Sequence, residues 1–204
     1  MKKLNLFALG LVSIGLVSCT SESTDNEGEN QGVSETYTLD TESSVITWTG
    51  DYFKGGEFDH NHVGVVLFNS GSISMAEGSI QSGNFELNMN SLDEPDAPMG
   101  EEARMKFIGH LKSDDYFDVD NYPTATVTLT SSSADKLIGT IKVKGIEMPF
   151  EAPANITVGD DAVKISGEFN LNFAPFGMEG IGSEADPEYV SPNVAFKIAL
   201  HLKK

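Results

Sequence analysis

"GHLKSDDYFDVDNYPTATVTL", residues 109–129, changes character at Pro123. After it, Ala125, Val127 and Leu129 alternate with Thr124, Thr126, Thr128 and Thr130. That period of two describes a strand with one dry and one wet face. Before it, Asp114, Asp115, Asp118 and Asp120 are mixed with Tyr116, Phe117 and Tyr122 without any period. Such a mixture reads as a turn. Upstream, from about Glu101 to Lys112, Met105, Ile108 and Leu111 recur at helical spacing behind acids at the start, which predicts a helix. The segment therefore runs helix, turn, strand, and the fold depends on what surrounds that strand.

The same alternation recurs along the chain. Phe85, Leu87 and Met89 oppose Glu86, Asn88 and Asn90; Leu137, Ile141 and Val143 oppose Lys142 and Lys144; Val163, Ile165, Phe169 and Leu171 oppose Lys164, Ser166, Glu168 and Asn170; Val194, Phe196, Ile198, Leu200 and Leu202 oppose Lys197, His201 and Lys203. Seven or more such strands, separated by turn signals such as "NSGS", "AEGS" and "VGDD", predict an all-β, antiparallel meander. Closure into a barrel is favoured over a sandwich. Gly139 and Gly167 interrupt apolar faces, where the sheet must bend or leave space, and the long last strand needs a partner along its edge. The single helix would cap the barrel mouth.

The chain begins "MKKLNLFALGLVSIGLVSC". Two lysines followed by a short apolar run form a secretory signal over residues 1–18. Leu16, Val17, Ser18 and Cys19 resemble a bacterial lipobox, which makes Cys19 the expected site of lipid attachment. Cys19 is the single cysteine, so no intramolecular disulfide is available. Residues 19–36 are acidic and almost without apolar side chains, and read as a solvated tether. Residues 37–204 then form one domain of ordinary size. The formal net charge is −18, and signal cleavage removes only lysines, so the mature surface repels nucleic acid and anionic headgroups.

Catalytic and metal chemistries find little support. A calcium loop starting at Asp118 would need glycine at its sixth position and glutamate at its twelfth, where Pro123 and Leu129 stand. His60 and His62 share a strand face, as zinc ligands can, but no third ligand is near in the sequence, so no metal and no cofactor are expected. There is no GxSxG elbow, no phosphate-binding loop and no dinucleotide fingerprint. The twelve phenylalanines lie largely on apolar strand faces. They suit a packed core or the lining of a cavity for a greasy chain, and both readings stay open on the residues alone.

"HLKSDDYFDVDNYPTATV" resembles the signature of the YceI-like family, as do "SSVITWTG", "GSIQSGNFELNMNSL", "LIGTIKVKGIEMPFEAPANI" and "GEFNLNFAPFGM", in collinear order across nearly all of residues 37–204. The resemblance implies a lipocalin-like barrel that encloses a polyisoprenoid or other long-chain lipid. It also implies that His110, Tyr116 and Phe117 belong to the connection from helix to strand, with Asp114 and Asp115 satisfying backbone groups there and Pro123 opening the strand. Where family members often carry an arginine and an aspartate, this chain has Phe173 and Pro175.

On these grounds the expected protein is a non-enzymatic, membrane-tethered carrier of one isoprenoid-like lipid. The expected tunnel wall consists of Ile46, Trp48, Phe85, Leu87, Met89, Val127, Ile141, Phe169, Leu171 and Phe196. The expected setting is the cell envelope, attached to the outer membrane and facing the periplasm or the cell surface, because Thr20 rather than aspartate follows Cys19. The alternative is an interaction module with a filled core, working through the loop "FGMEGIGSEADPEYVSP". A small outer-membrane barrel fits poorly with the closing "ALHLKK". A homodimer is left open.

Overall fold

A computed structural model describes residues 34–133, 135–178 and 182–204. The signal segment, Cys19 and nearly all of the acidic tether lie outside the described residues. Among them are eleven strands, β1 (Glu35–Leu39), β2 (Val45–Lys54), β3 (Glu57–Ala76), β4 (Ser79–Asp93), β5 (Thr124–Ser133), β6 (Lys136–Val143), β7 (Ile146–Pro153), β8 (Asn155–Val158), β9 (Ala162–Asn172), β10 (Glu188–Val190) and β11 (Asn193–Lys203). One helix, α1 (Glu101–Lys112), falls where the helical spacing placed it.

Every pairing is antiparallel, and the fold is a lipocalin-like barrel. The antiparallel pairs β3–β4, β4–β5, β5–β6 and β6–β7 form one wall in sequence order, with α1 carried in the connection from β4 to β5. The twenty-residue β3 turns the corner: its first half pairs with β2, its second half with β1, and both of those pair with β11. Register shifts against β4 near Val65, Phe68 and Ser74 supply the bend. β11 pairs with β1 on one part and carries β9 along its length, so that the first and last described strands share a wall.

The seam between β7 and β9 is closed by contact. Phe150 packs against Phe169, and a Cβ on Gly167 would lie 2.4 Å from the Pro153 carbonyl oxygen. A Cβ on Gly139 would lie 2.0 Å from the Thr128 carbonyl oxygen, beside the irregularity between Leu129 and Ser131. Both glycines thus mark close backbone approach, not the open space that their apolar faces allowed.

Two expectations for the connection need correction. Asp114 and Asp115 do not seal the helix end with their side chains. The carbonyls of Leu111, Lys112 and Ser113 instead accept the backbone N–H groups of Phe117, Val119 and Asp118. The chain reverses at Asp118, whose φ of 47° lies in the left-handed region that Asp tolerates better than most residues. Pro123 stands just before β5, not within it, and its carbonyl accepts the Met89 N–H. On α1, Met105 points to solvent; Ile108 is buried, and Phe107 and Leu111 pack on the core. The inward stripe is therefore rotated from the one expected.

Candidate functional site

Inward side chains differ between the two ends of the barrel. At the end where β9 and β11 meet through Val163–Leu202 and Ile165–Leu200, the interior is filled: Tyr37, Ile73, Ile80, Val163, Ile165 and Leu202 are each at most 1% exposed. Toward the other end, Val127 on β5, Ile141 on β6, Phe169 and Leu171 on β9 and Phe196 on β11 also point inward, yet remain half-buried. Their residual surface faces a cavity of about 430 Å³. That volume lies within the roughly 300–1,000 Å³ of ligand pockets and far above the packing defects of a filled core.

The wall is almost entirely apolar. All ten side chains expected on a tunnel wall line this cavity. Phe196 pairs across strands with both Trp48 and Phe169, and its ring stacks on Phe169 with centroids 5.7 Å apart. Phe173 adds a buried ring that touches Phe117, Phe176 and Phe196. An apolar enclosure of this kind holds water poorly and rewards a hydrocarbon that fills it.

The helix and its connection roof the open end. Phe107, His110, Leu111, Tyr116 and Phe117 all reach the cavity. Arg104 pairs with Asp93, and the Lys112 ammonium donates to the Asn90 carbonyl, which ties α1 to the end of β4. Tyr116 is buried under His110, and burial raises its phenol above the usual range.

Polar groups gather only at this mouth. His60 and His62 line it with their Nε2 atoms 3.2 Å apart. His62 stacks on Phe107, with ring centroids 3.9 Å apart, and its Nδ1 meets Glu94 Oε2 at 3.0 Å. Glu94 also accepts the Val63 backbone N–H and is only 2% exposed. The loop after β9 is partly built into the site. Phe176 and Met178 are buried, Met178 lines the cavity, and β10 pairs with β2, where Tyr189 stacks on Phe53.

Reasoning from sequence missed Phe107, Phe173, Met178 and the partnership of His62 with Glu94. Phe107 and Leu111 carried a usable signal, an i, i+4 apolar pair on the helix. Glu94 carried none, because its partner is 32 residues away.

Residues 37–202 match the YceI-like domain. Two solved structures are similar to this fold. The crystal structure of Burkholderia cenocepacia BcnA aligns with a TM-score of 0.63 at 17% identity, over 80% of this chain and 98% of that one. A polyisoprenoid binding domain from Saccharophagus degradans, implicated in plant cell wall breakdown, aligns with a TM-score of 0.55 at 14% identity, over 82% of this chain and 97% of that one. No curated protein matches the chain.

Proposed function

The chain belongs to the YceI-like domain family, and from that premise we propose that it is a binding protein which holds one long-chain lipid of isoprenoid type in its barrel. The observation that carries this reading is the cavity of about 430 Å³, walled by apolar side chains and closed at its far end. Each methylene moved from water into such a space contributes about 0.8 kcal/mol. A cargo can thus be held by its chain alone. The similarity to a polyisoprenoid binding domain supports the same cargo class.

The reading includes the chain's address. Cys19 carries the acyl anchor, residues 19–36 give reach, and the barrel works in the cell envelope at the outer membrane. The acidic surface keeps the barrel off anionic headgroups, so that cargo exchange takes place at the mouth. None of this requires bond-making chemistry.

The test is organic extraction and mass spectrometry of the full chain purified from its native host, beside a Val127→Phe variant whose added ring fills the cavity. The expected result is a near-equimolar long-chain lipid in the wild type that is lost from the variant. A wild type without lipid, or equal lipid in both proteins, would overturn the proposal.

A further inference from the structure

Glu94 is a buried acid that an apolar cargo does not need. Its carboxylate holds His62 through Nδ1, and Asp59 holds His60 in the same way, with Nδ1 and Oδ2 2.6 Å apart. A carboxylate only accepts hydrogen bonds, so each Nδ1 bears the hydrogen. In the neutral rings both Nε2 atoms are then lone-pair acceptors. They face each other at 3.2 Å, with the ring planes at 81°. Two lone pairs do not bond to one another. The arrangement calls for a positive centre between them.

We propose that His60 and His62 form a two-imidazole site for a borderline divalent cation of the zinc class at the cavity mouth. Ligand nitrogens bound at 2.0–2.1 Å to a tetrahedral zinc stand about 3.3 Å apart, close to the spacing already present. Imidazole suits zinc, copper and nickel rather than magnesium or calcium. The carboxylates behind both rings fix the tautomer and raise ligand basicity, as outer partners of metal-bound histidines do. The rings are also held in place: Phe107 stacks on His62, and Tyr52 lies 5.0 Å from His60, centroid to centroid.

Strand geometry explains the pair. His60 and His62 face Tyr52 and Gly50 across the β2–β3 ladder, on the inward side of β3. Among the described residues no set of three or more His, Cys, Asp or Glu side chains converges. The site therefore supplies two ligands, and its remaining positions are open to water or to an oxygen of a molecule at the mouth. This inference does not rest on the lipid reading, because the histidines, Asp59 and Glu94 are in place without a cargo.

The experiment is equilibrium dialysis of the full chain against zinc chloride, with metal analysis and calorimetry, for the wild type, His60→Gln, Asp59→Asn, His201→Gln and the cavity-filled Val127→Phe. His60 and Asp59 are each about half exposed, so their replacement leaves the fold intact, which circular dichroism verifies. The expected result is one zinc per wild-type chain, affinity lowered at least about tenfold in His60→Gln and in Asp59→Asn, and no change in His201→Gln or Val127→Phe. Absence of stoichiometric zinc in the wild type, or equal affinity in His60→Gln, would overturn the site and identify the positive centre as a shared proton or the uptake as surface binding by acids.

Discussion

Trp48 and Phe196 are direct partners across the β2–β11 pairing, and both reach the cavity. Trp48 is the single tryptophan of the chain, so its fluorescence reports on that space alone. Adding a long-chain isoprenoid alcohol to lipid-free protein should shift its emission to shorter wavelength and saturate near one equivalent. A spectrum that does not respond while the cargo binds would place the cargo elsewhere.

Filling the cavity and emptying the core should have unequal costs. Val127→Phe adds volume where space exists, and should change stability by less than about 1.5 kcal/mol while abolishing cargo. Ile165→Ala removes volume at the filled end and should cost about 2–5 kcal/mol. Urea denaturation of both variants measures the contrast. Equal losses would mean that the interior is packed evenly.

Gly139→Ala should be among the most damaging small substitutions. Its Cβ would meet the Thr128 carbonyl oxygen, a backbone atom that cannot retreat without opening the β5–β6 pairing. A loss of about 1–3 kcal/mol is expected, with slow hydrogen exchange lost first in β5 and β6. A variant as stable as the wild type would show that the strands can separate freely there.

The ends of the barrel are fastened by exposed ion pairs, and their acid response follows from the direction of the shifts. Lys204 holds the Glu35 carboxyl below its ordinary value, Lys203 does the same to Asp40, and Lys54 to Glu188. A carboxylate depressed in the folded state stabilises fully above its unfolded pKa and ceases to do so as pH falls through its folded one. The urea midpoint should therefore be level above about pH 5 and decline below about pH 4. Lys54 and Lys204 are raised by the same partners, so their contribution is lost as pH rises beyond about 10.5. Glu35→Gln combined with Asp40→Asn should flatten part of the acid limb. An unchanged limb would assign the acid response to other groups.

Much of the architecture was legible because a barrel wall has an inside and an outside. Phe85–Leu87–Met89 and Phe169–Leu171 could be assigned to the interior by parity alone, and all of them line the cavity. The helix limits were legible from acids at one end and the unperiodic turn at the other. Its inward face was not: Met105 and Phe107 are equally apolar, and only docking against β3 and β4 turns Phe107 inward and leaves Met105 in water.

The residues by themselves determined that this chain forms antiparallel strands, where helix α1 stands, and which side chains share a dry face, since those properties depend on local period and turn chemistry. Whether the dry faces meet or stay apart was decided by the tertiary structure. Val163 and Phe169 follow one alternation in one strand, yet the first is fully packed and the second borders open space. That difference reflects how far the walls are apart at each level, which the close backbone approaches at Gly139 and Gly167 and the bulges of β3 set from residues distant in sequence. The meeting of Glu94 with His62 has the same origin.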